Sequence, residues 1–302
     1  MSDCTETVTV IEEYDIESEI AENDNIFYKI KNMIRTNKVA AISGLLIILI
    51  IIVAVFAPVF APHDPYAIDL LSRLKGPSAE HLLGTDELGR DVLSRIIYGS
   101  RVSLFVGLVP TLLSMIIGTV LGLISGYFGG KIDFVIMRLA DVVLAFPSLL
   151  LAMVIMYTLG ASTFNLFIAL TIINWAGTAR VVRAQAMSLK EKEFIEAAKS
   201  IGVKDSVIMF KHLLPNCLPS LIVLFTTNIP GAILSEANLS FLGVGAQPPE
   251  ASWGLMVNNG KKFLFTNPIV ALAPGIAILI IVLTFNFLGD GLRDAIDPYM
   301  KE

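Results

Sequence analysis

An all-α polytopic membrane protein with six transmembrane helices is the fold class this sequence predicts, and three observations predict it. Of 302 residues, 55% are hydrophobic and only 16% are charged, and the mean hydropathy is +0.73. Soluble domains carry about 25% charged residues. The apolar residues come in long unbroken runs, as a helix crossing a bilayer requires. Pro110, Pro147, Pro230 and Pro274 fall inside four of those runs. Each frees a backbone carbonyl that lipid cannot satisfy, so these helices are expected to line a protein interior.

The elements follow in chain order. Residues 1–25 read as a disordered, acidic, cytoplasmic tail. Asp3, Glu6, Glu12, Glu13, Asp15, Glu17, Glu19, Glu22 and Asp24 meet no base, and no apolar period runs through them. The net charge of −5 comes from this tail. The remainder is mildly basic, which suits anionic lipid and gives no sign of nucleic acid. Residues 26–38 form an interfacial amphipathic helix, with Ile26, Phe27, Ile30, Met33 and Ile34 on one face and Lys29, Lys31, Arg35 and Lys38 elsewhere. Its bases place the N-terminus in the cytoplasm.

The first span covers 39–61. It is too long for a signal-peptide core and lacks a clear cleavage site, so it is expected to be retained. An extracytoplasmic loop follows over 62–100. The remaining core, 101–302, holds five further spans at about 101–126, 134–159, 164–181, 218–235 and 268–288. An even count returns the C-terminus to the cytoplasm. The stretch from 180 to 216 supports that topology, because Arg180, Arg183, Lys190, Lys192, Lys199, Lys204 and Lys211 outnumber Glu191, Glu193, Glu196 and Asp205. The outer loop is less tidy, with Arg73, Lys75, Arg90 and Arg95 set against Asp64, Asp69, Glu80 and Asp86. Gly118, Gly122 and Gly126, spaced by four, predict close helix–helix packing.

Catalytic chemistry is hard to find. The pairs Gly130-Lys131 and Gly260-Lys261 lack the leading glycine and the trailing hydroxyl of a phosphate loop. His63, His81 and His212 are isolated along the chain and predict no metal site. Cys4 and Cys217 form no disulfide framework. The chain is therefore expected to be a non-enzyme that binds no metal or cofactor itself. Arg138 and Asp141 sit three apart and predict a salt bridge, with a gating role as the alternative. Glu236, at the end of the fifth span, is a carboxylate near membrane depth, but further carboxylates of a proton relay do not accumulate around it.

One stretch stands out, "EFIEAAKSIGVKDSVIMFKHLLPN" from Glu193 to Asn216. Phe194, Ala197, Ala198 and Ile201 share a helical face. Gly202 supplies a bend. Asp205 is placed to cap a second helix striped by Val207, Phe210 and Leu214, which Pro215 ends. Two short amphipathic helices at an angle predict either an interfacial helix on lipid or a plug for a groove on a partner.

"EAAKSIG" followed after nine residues by "HLLP" resembles the EAA loop of ATP-binding-cassette (ABC) importer permeases, with Glu196, Ala197, Ala198, Gly202, Leu214 and Pro215 on its fixed positions. "HLLGTDELGRDVLSRIIYGSRVSL", "LAFPSLLLA", "EANLSFLGVGAQPPEASWG" and "LGDGLRDAIDP" are similar to the C-type subunit of the dipeptide/oligopeptide/nickel branch, and the resemblance covers nearly all of residues 26–300.

The resemblance implies the type I ABC importer permease fold. It implies a heterodimer with a homologous second permease subunit, two ATPase subunits that hold ATP and Mg, and an extracytoplasmic substrate-binding protein. The loop at about 186–216 would couple this chain to the ATPases, and Arg90 and Asp91 would be binding-protein contacts unless they anchor a surface helix. Di- or oligopeptides are the expected cargo, with nickel or glutathione as alternatives within the family. An ion-coupled secondary transporter is a further reading, and a non-transporting scaffold would leave the broken helices without a purpose.

Overall fold

The computed structural model describes residues 37–296. The acidic tail and nearly all of the predicted interfacial helix lie outside the described residues. Nine helices carry the fold: α1 (Lys38–Val55), α2 (Val92–Phe128), α3 (Gly130–Ala145), α4 (Ser148–Leu159), α5 (Thr163–Lys190), α6 (Glu193–Ser200), α7 (Leu214–Phe241), α8 (Trp253–Gly260) and α9 (Ile269–Ile296). Short turns, among them Ala57–Phe60 after α1 and Leu70–Ser72 in the outer loop, complete the described chain. Five helical stretches are long and apolar enough to cross a membrane, and α3 with α4 makes a sixth when the bent pair is taken as one.

That pair departs from the predicted third span. The chain turns by 92° between α3 and α4. Phe146 takes an extended conformation (φ −92°, ψ 141°) because the ring of Pro147 crowds a helical residue before it. Pro110, Pro230 and Pro274 instead stay within helices, and all three are buried.

Helix α2 begins at Val92, nine residues before the predicted start of the second span. At about 1.5 Å per residue its 37 residues reach about 55 Å, well beyond a hydrocarbon core of about 30 Å. Its first turns therefore belong to the outer layer. There Asp91 caps the helix by accepting from the Ser94 N–H at 2.8 Å, and Trp253 of α8 donates from Nε1 to the Ile96 carbonyl at 2.9 Å. Arg101 donates to the Ala54 and Val55 carbonyls at 2.5 and 2.7 Å, near the end of α1 where carbonyls lack partners within the helix.

The centre of the molecule is the seam between α2 and α5. A Cβ on Gly118 would lie 2.6 Å from the Trp175 carbonyl oxygen. On Gly122 it would lie 2.7 Å from that of Ala179, and on Gly126 2.7 Å from that of Arg183. The glycine spacing thus does what it predicts, letting two backbones touch. Around this seam, α7 and α9 pack Ile229, Ile233, Ile281 and Phe285 into one apolar cluster with Trp253 and Leu104.

Candidate functional site

The segment from Glu193 forms two helical pieces on a bend, as expected, but its faces are divided differently. Ile195 and Ala198 are buried against Leu123 and Tyr127 of α2, Val182 and Ala186 of α5, and Leu213, Cys217 and Leu221. Phe194, Ala197 and Ile201 face outward, with Ile201 82% exposed. The predicted four-residue stripe thus keeps three members as an exposed apolar face, whereas Ala198 belongs to the locked face. Ile195, which the stripe omits, is the anchor. Glu196 is exposed beside the stripe.

Gly202 carries the bend with φ +79° and nothing within 4 Å of a Cβ placed on it. The residue is required by backbone conformation, not by space.

Asp205 does not cap the next helix. Lys204 holds the cap position without a side-chain bond, and Asp205 instead accepts from the Tyr127 hydroxyl at 2.5 Å. Lys199 of α6 stands with its Nζ 5.4 Å from the centre of the Tyr127 ring, a second tie between the segment and the end of α2.

Pro215 does not end a helix either. Residues Ile208–Leu213 form a π-helical turn that runs directly into α7, with Pro215 in its first turn. A proline ring clashes with the carbonyl four residues earlier, and widening the preceding turn relieves that clash. Asn216 donates from its side chain to the His212 carbonyl at 2.7 Å, a further tie across this turn. Ile208, Met209 and Leu213 are the buried residues, while Phe210 is exposed and Val207 and Leu214 are half-buried. The second stripe is offset from the predicted one. The segment is therefore fused rigidly to the spanning part of α7.

Two ion pairs brace the neighbouring helices. Arg183 of α5 makes a two-pronged contact with Asp133 of α3, its second prong at 2.5 Å, and Ser125 of α2 donates to the same carboxylate. Arg180 donates to Asp141 at 2.5 Å. The predicted Arg138–Asp141 contact is present at 3.7 Å, but Arg138 is 64% exposed and lies over the Phe134 ring. Arg180 is thus the closer partner of Asp141, a pairing that spacing along one helix could not reveal.

Replacing Arg183 with Met is expected to cost about 1–3 kcal/mol by leaving Asp133 a less complete partner set. Thermal melting of the single variants and of the double variant with Asp133→Asn would show non-additivity if the pair is the cause.

In the outer loop the structure corrects one expectation. Arg90 and Asp91 are 6% and 2% exposed. Arg90 donates to Asp86 at 2.8 Å, and Asp91 caps α2, so neither side chain presents a free docking surface. Their burial and hydrogen bonds agree with the anchoring alternative, and Val92 beside them is fully buried. Arg95, also buried, donates to the Pro65 carbonyl at 2.9 Å. The histidines are not all isolated, since His63 and His81 lie side by side against Asp91. Glu236 is fully buried, and its Oε1 accepts from Ser240 and Ser252 at 2.7 and 2.9 Å. That arrangement ties α7 to the start of α8.

A bundle of apolar helices with an amphipathic arm fused to its central spans defines a polytopic membrane protein. The comparisons give the family. The binding-protein-dependent transport system inner membrane components match residues 118–302, and the N-terminal transmembrane domain of oligopeptide transport permease C matches residues 32–77. The chain belongs to this family of ABC importer permeases.

It is 46% identical to the dipeptide transport system permease protein DppC of Alkalihalophilus pseudofirmus over 89% of this chain and 88% of that one. It is 42% identical to the oligopeptide transport system permease protein OppC of Bacillus subtilis over the same shares. Against the glutathione transport system permease protein GsiD of Pectobacterium atrosepticum the identity is 44%, over 87% and 88%. Among solved structures, the MetNI methionine ABC transporter in inward-facing conformations aligns with a TM-score of 0.53 and 19% identity. That alignment covers 67% of this chain and 96% of the other, and it shows the shared fold.

Proposed function

We propose that this chain is the C-type permease subunit of an ABC importer carrying di- and oligopeptides across the cytoplasmic membrane of a prokaryote, with α6 as the element that receives motion from the ATPases. One observation carries the coupling role. Phe194, Ala197 and Ile201 expose an apolar face on a helix whose opposite face is locked to α2, α5 and α7. A rigid arm of this kind transmits a push on its outer face to the spans behind it. ATP and Mg belong on two separate ATPase subunits, and a binding protein delivers cargo on the opposite side. N- and C-termini then lie in the cytoplasm.

A second permease subunit is supported by the surface of α3 and α4. Phe134, Val135, Leu139, Val142, Leu150 and Tyr157 are exposed there, with Arg138 and Asp141 among them. Lipid tolerates such charges poorly, whereas another polypeptide can shield and pair them. The peptide cargo is supported by the names of the relatives at 46% and 42% identity, and the 44% identical glutathione permeases favour a tripeptide as the second reading.

Reconstitution with the partner permease, both ATPases and the binding protein tests the whole reading. Labelled dipeptide uptake that requires ATP is expected. Uptake of glutathione alone would shift the cargo to the second reading. Uptake driven by an ion gradient without ATPase subunits would refute the importer assignment.

A further inference from the structure

We infer that His63, His81 and Asp91 form a binding site for a single divalent transition-metal ion, Zn2+ by the character of its donors, that staples the outer loop to the start of α2. The three side chains come from separate parts of the loop, yet one ligand atom from each lies within 4.8 Å of the others. His81 Nδ1 is 2.9 Å from Asp91 Oδ1, and His63 Nδ1 is 3.8 Å from the same oxygen. A tetrahedral Zn2+ with bonds of about 2.0–2.1 Å sets its ligand atoms about 3.4 Å apart, a spacing these two distances bracket.

Two features favour an ion over a simple hydrogen bond. First, the His81 contact accounts for one imidazole only. His63 Nδ1 is buried and has no hydrogen-bond partner among the described residues, although it points at the same carboxylate oxygen. A cation between the three atoms would satisfy both rings and Oδ1 together. Second, the ligands are held from behind. Asp91 Oδ2 accepts from the Ser94 backbone N–H and hydroxyl at 2.8 and 2.7 Å, and the Ser94 hydroxyl oxygen accepts from the His63 backbone N–H at 3.0 Å, which fixes the chain that carries the ring. Such outer hydrogen bonds orient the first ligands of metal sites.

Two imidazoles and one carboxylate suit Zn2+, with water at the fourth position, and the half-exposed His63 ring gives a path from solvent. On binding, each histidine carries its remaining proton on Nε2, so His81 gives up its Nδ1–H contact with Asp91.

The test uses the full-length chain within its importer complex, purified on a tag free of histidine and stripped with chelator. Bound metal per chain is measured after Zn2+ dialysis, and the visible spectrum is recorded with Co2+. Wild type is expected to bind one more ion than His63→Phe and to show the intense Co2+ absorption of a four-coordinate site. Both signals should vanish in His81→Gln. Zn2+ affinity at this site should fall by more than the roughly 10- to 100-fold that loss of a ligand's hydrogen-bonding partner costs. Should His63→Phe not fold, His63→Gln carries the same comparison. Equal metal content and equal spectra in wild type and the His63 variant overturn the proposal, as does a wild type that binds no ion.

Discussion

Gly202→Val is expected to abolish ATP-driven uptake while the protein still inserts and folds. Gly202 has φ +79°, and nothing lies within 4 Å of the added Cβ, so the substitution creates no clash with the rest of the molecule. Its cost is local. A β-branched residue in the left-handed region pays about 1–3 kcal/mol, and the bend can escape that strain by opening. Opening the bend moves the exposed face of α6 relative to the π-helical turn and α7, which is the geometry the coupling reading depends on.

The expected result is uptake reduced at least tenfold, ATP hydrolysis persisting without transport, and a melting temperature within a few degrees of wild type. Gly202→Asn should retain much of the uptake, because asparagine tolerates this conformation better than other residues. Glu196→Lys tests the same surface through charge. The residue is exposed in the first turn of α6, where a cation opposes the helix dipole by only about 0.3–1 kcal/mol. A large loss of transport would therefore report on docking rather than folding. Normal transport by Gly202→Val and Glu196→Lys together would show that α6 is not the coupling element.

Gly122→Leu acts at the opposite extreme, on the fold itself. The Cβ at position 122 would stand 2.7 Å from the Ala179 carbonyl oxygen and 2.8 Å from Val182 Cβ. Neither is the far end of a flexible side chain, so α2 and α5 must separate. Overpacking costs about 1–3 kcal/mol even where a core can adjust. Here separation also opens the contacts of Gly118 and Gly126, and apolar surface exposed to lipid supplies no hydrophobic drive to close the seam again.

The variant is expected to be degraded or to melt well below wild type in detergent, with all activity lost as a consequence. Gly177→Ala and Gly231→Ala are the controls, since nothing lies within 4 Å of either added Cβ. Both should match wild type or gain slightly from the better helix propensity of alanine. A wild-type melting temperature for Gly122→Leu would mean the two helices do not rely on this approach.

How much of this was legible along the chain varied with the physics behind each element. The spanning runs were readable because lipid imposes a uniform apolar requirement on every helix that crosses it. Helix ends were less so. The first turns of α2 leave the hydrocarbon region, and there Arg95 and Arg101 serve packing and carbonyl capping. Pro147 and Pro215 carry the same local signal, yet one marks a right-angled break and the other lies in a continuous helix. The difference is the π-helical turn before Pro215.

Within the EAA segment the amphipathic character and the Gly202 bend were evident. Which apolar residues face inward was not. Ile195 is buried because α2 and α5 already present Tyr127 and Val182 to it.

The sequence by itself determined the membrane class, the small-residue seam of Gly118, Gly122 and Gly126, and the presence of a bent, soluble-looking arm. Each follows from composition or spacing that only one environment accepts. Tertiary structure alone decided the pairings: Asp133 with Arg183, Asp141 with Arg180, Tyr127 with Asp205, and His63 with His81 at Asp91. Those contacts join residues far apart in the chain. Their partners are set by where helices cross and loops return, and local periodicity carries no record of that.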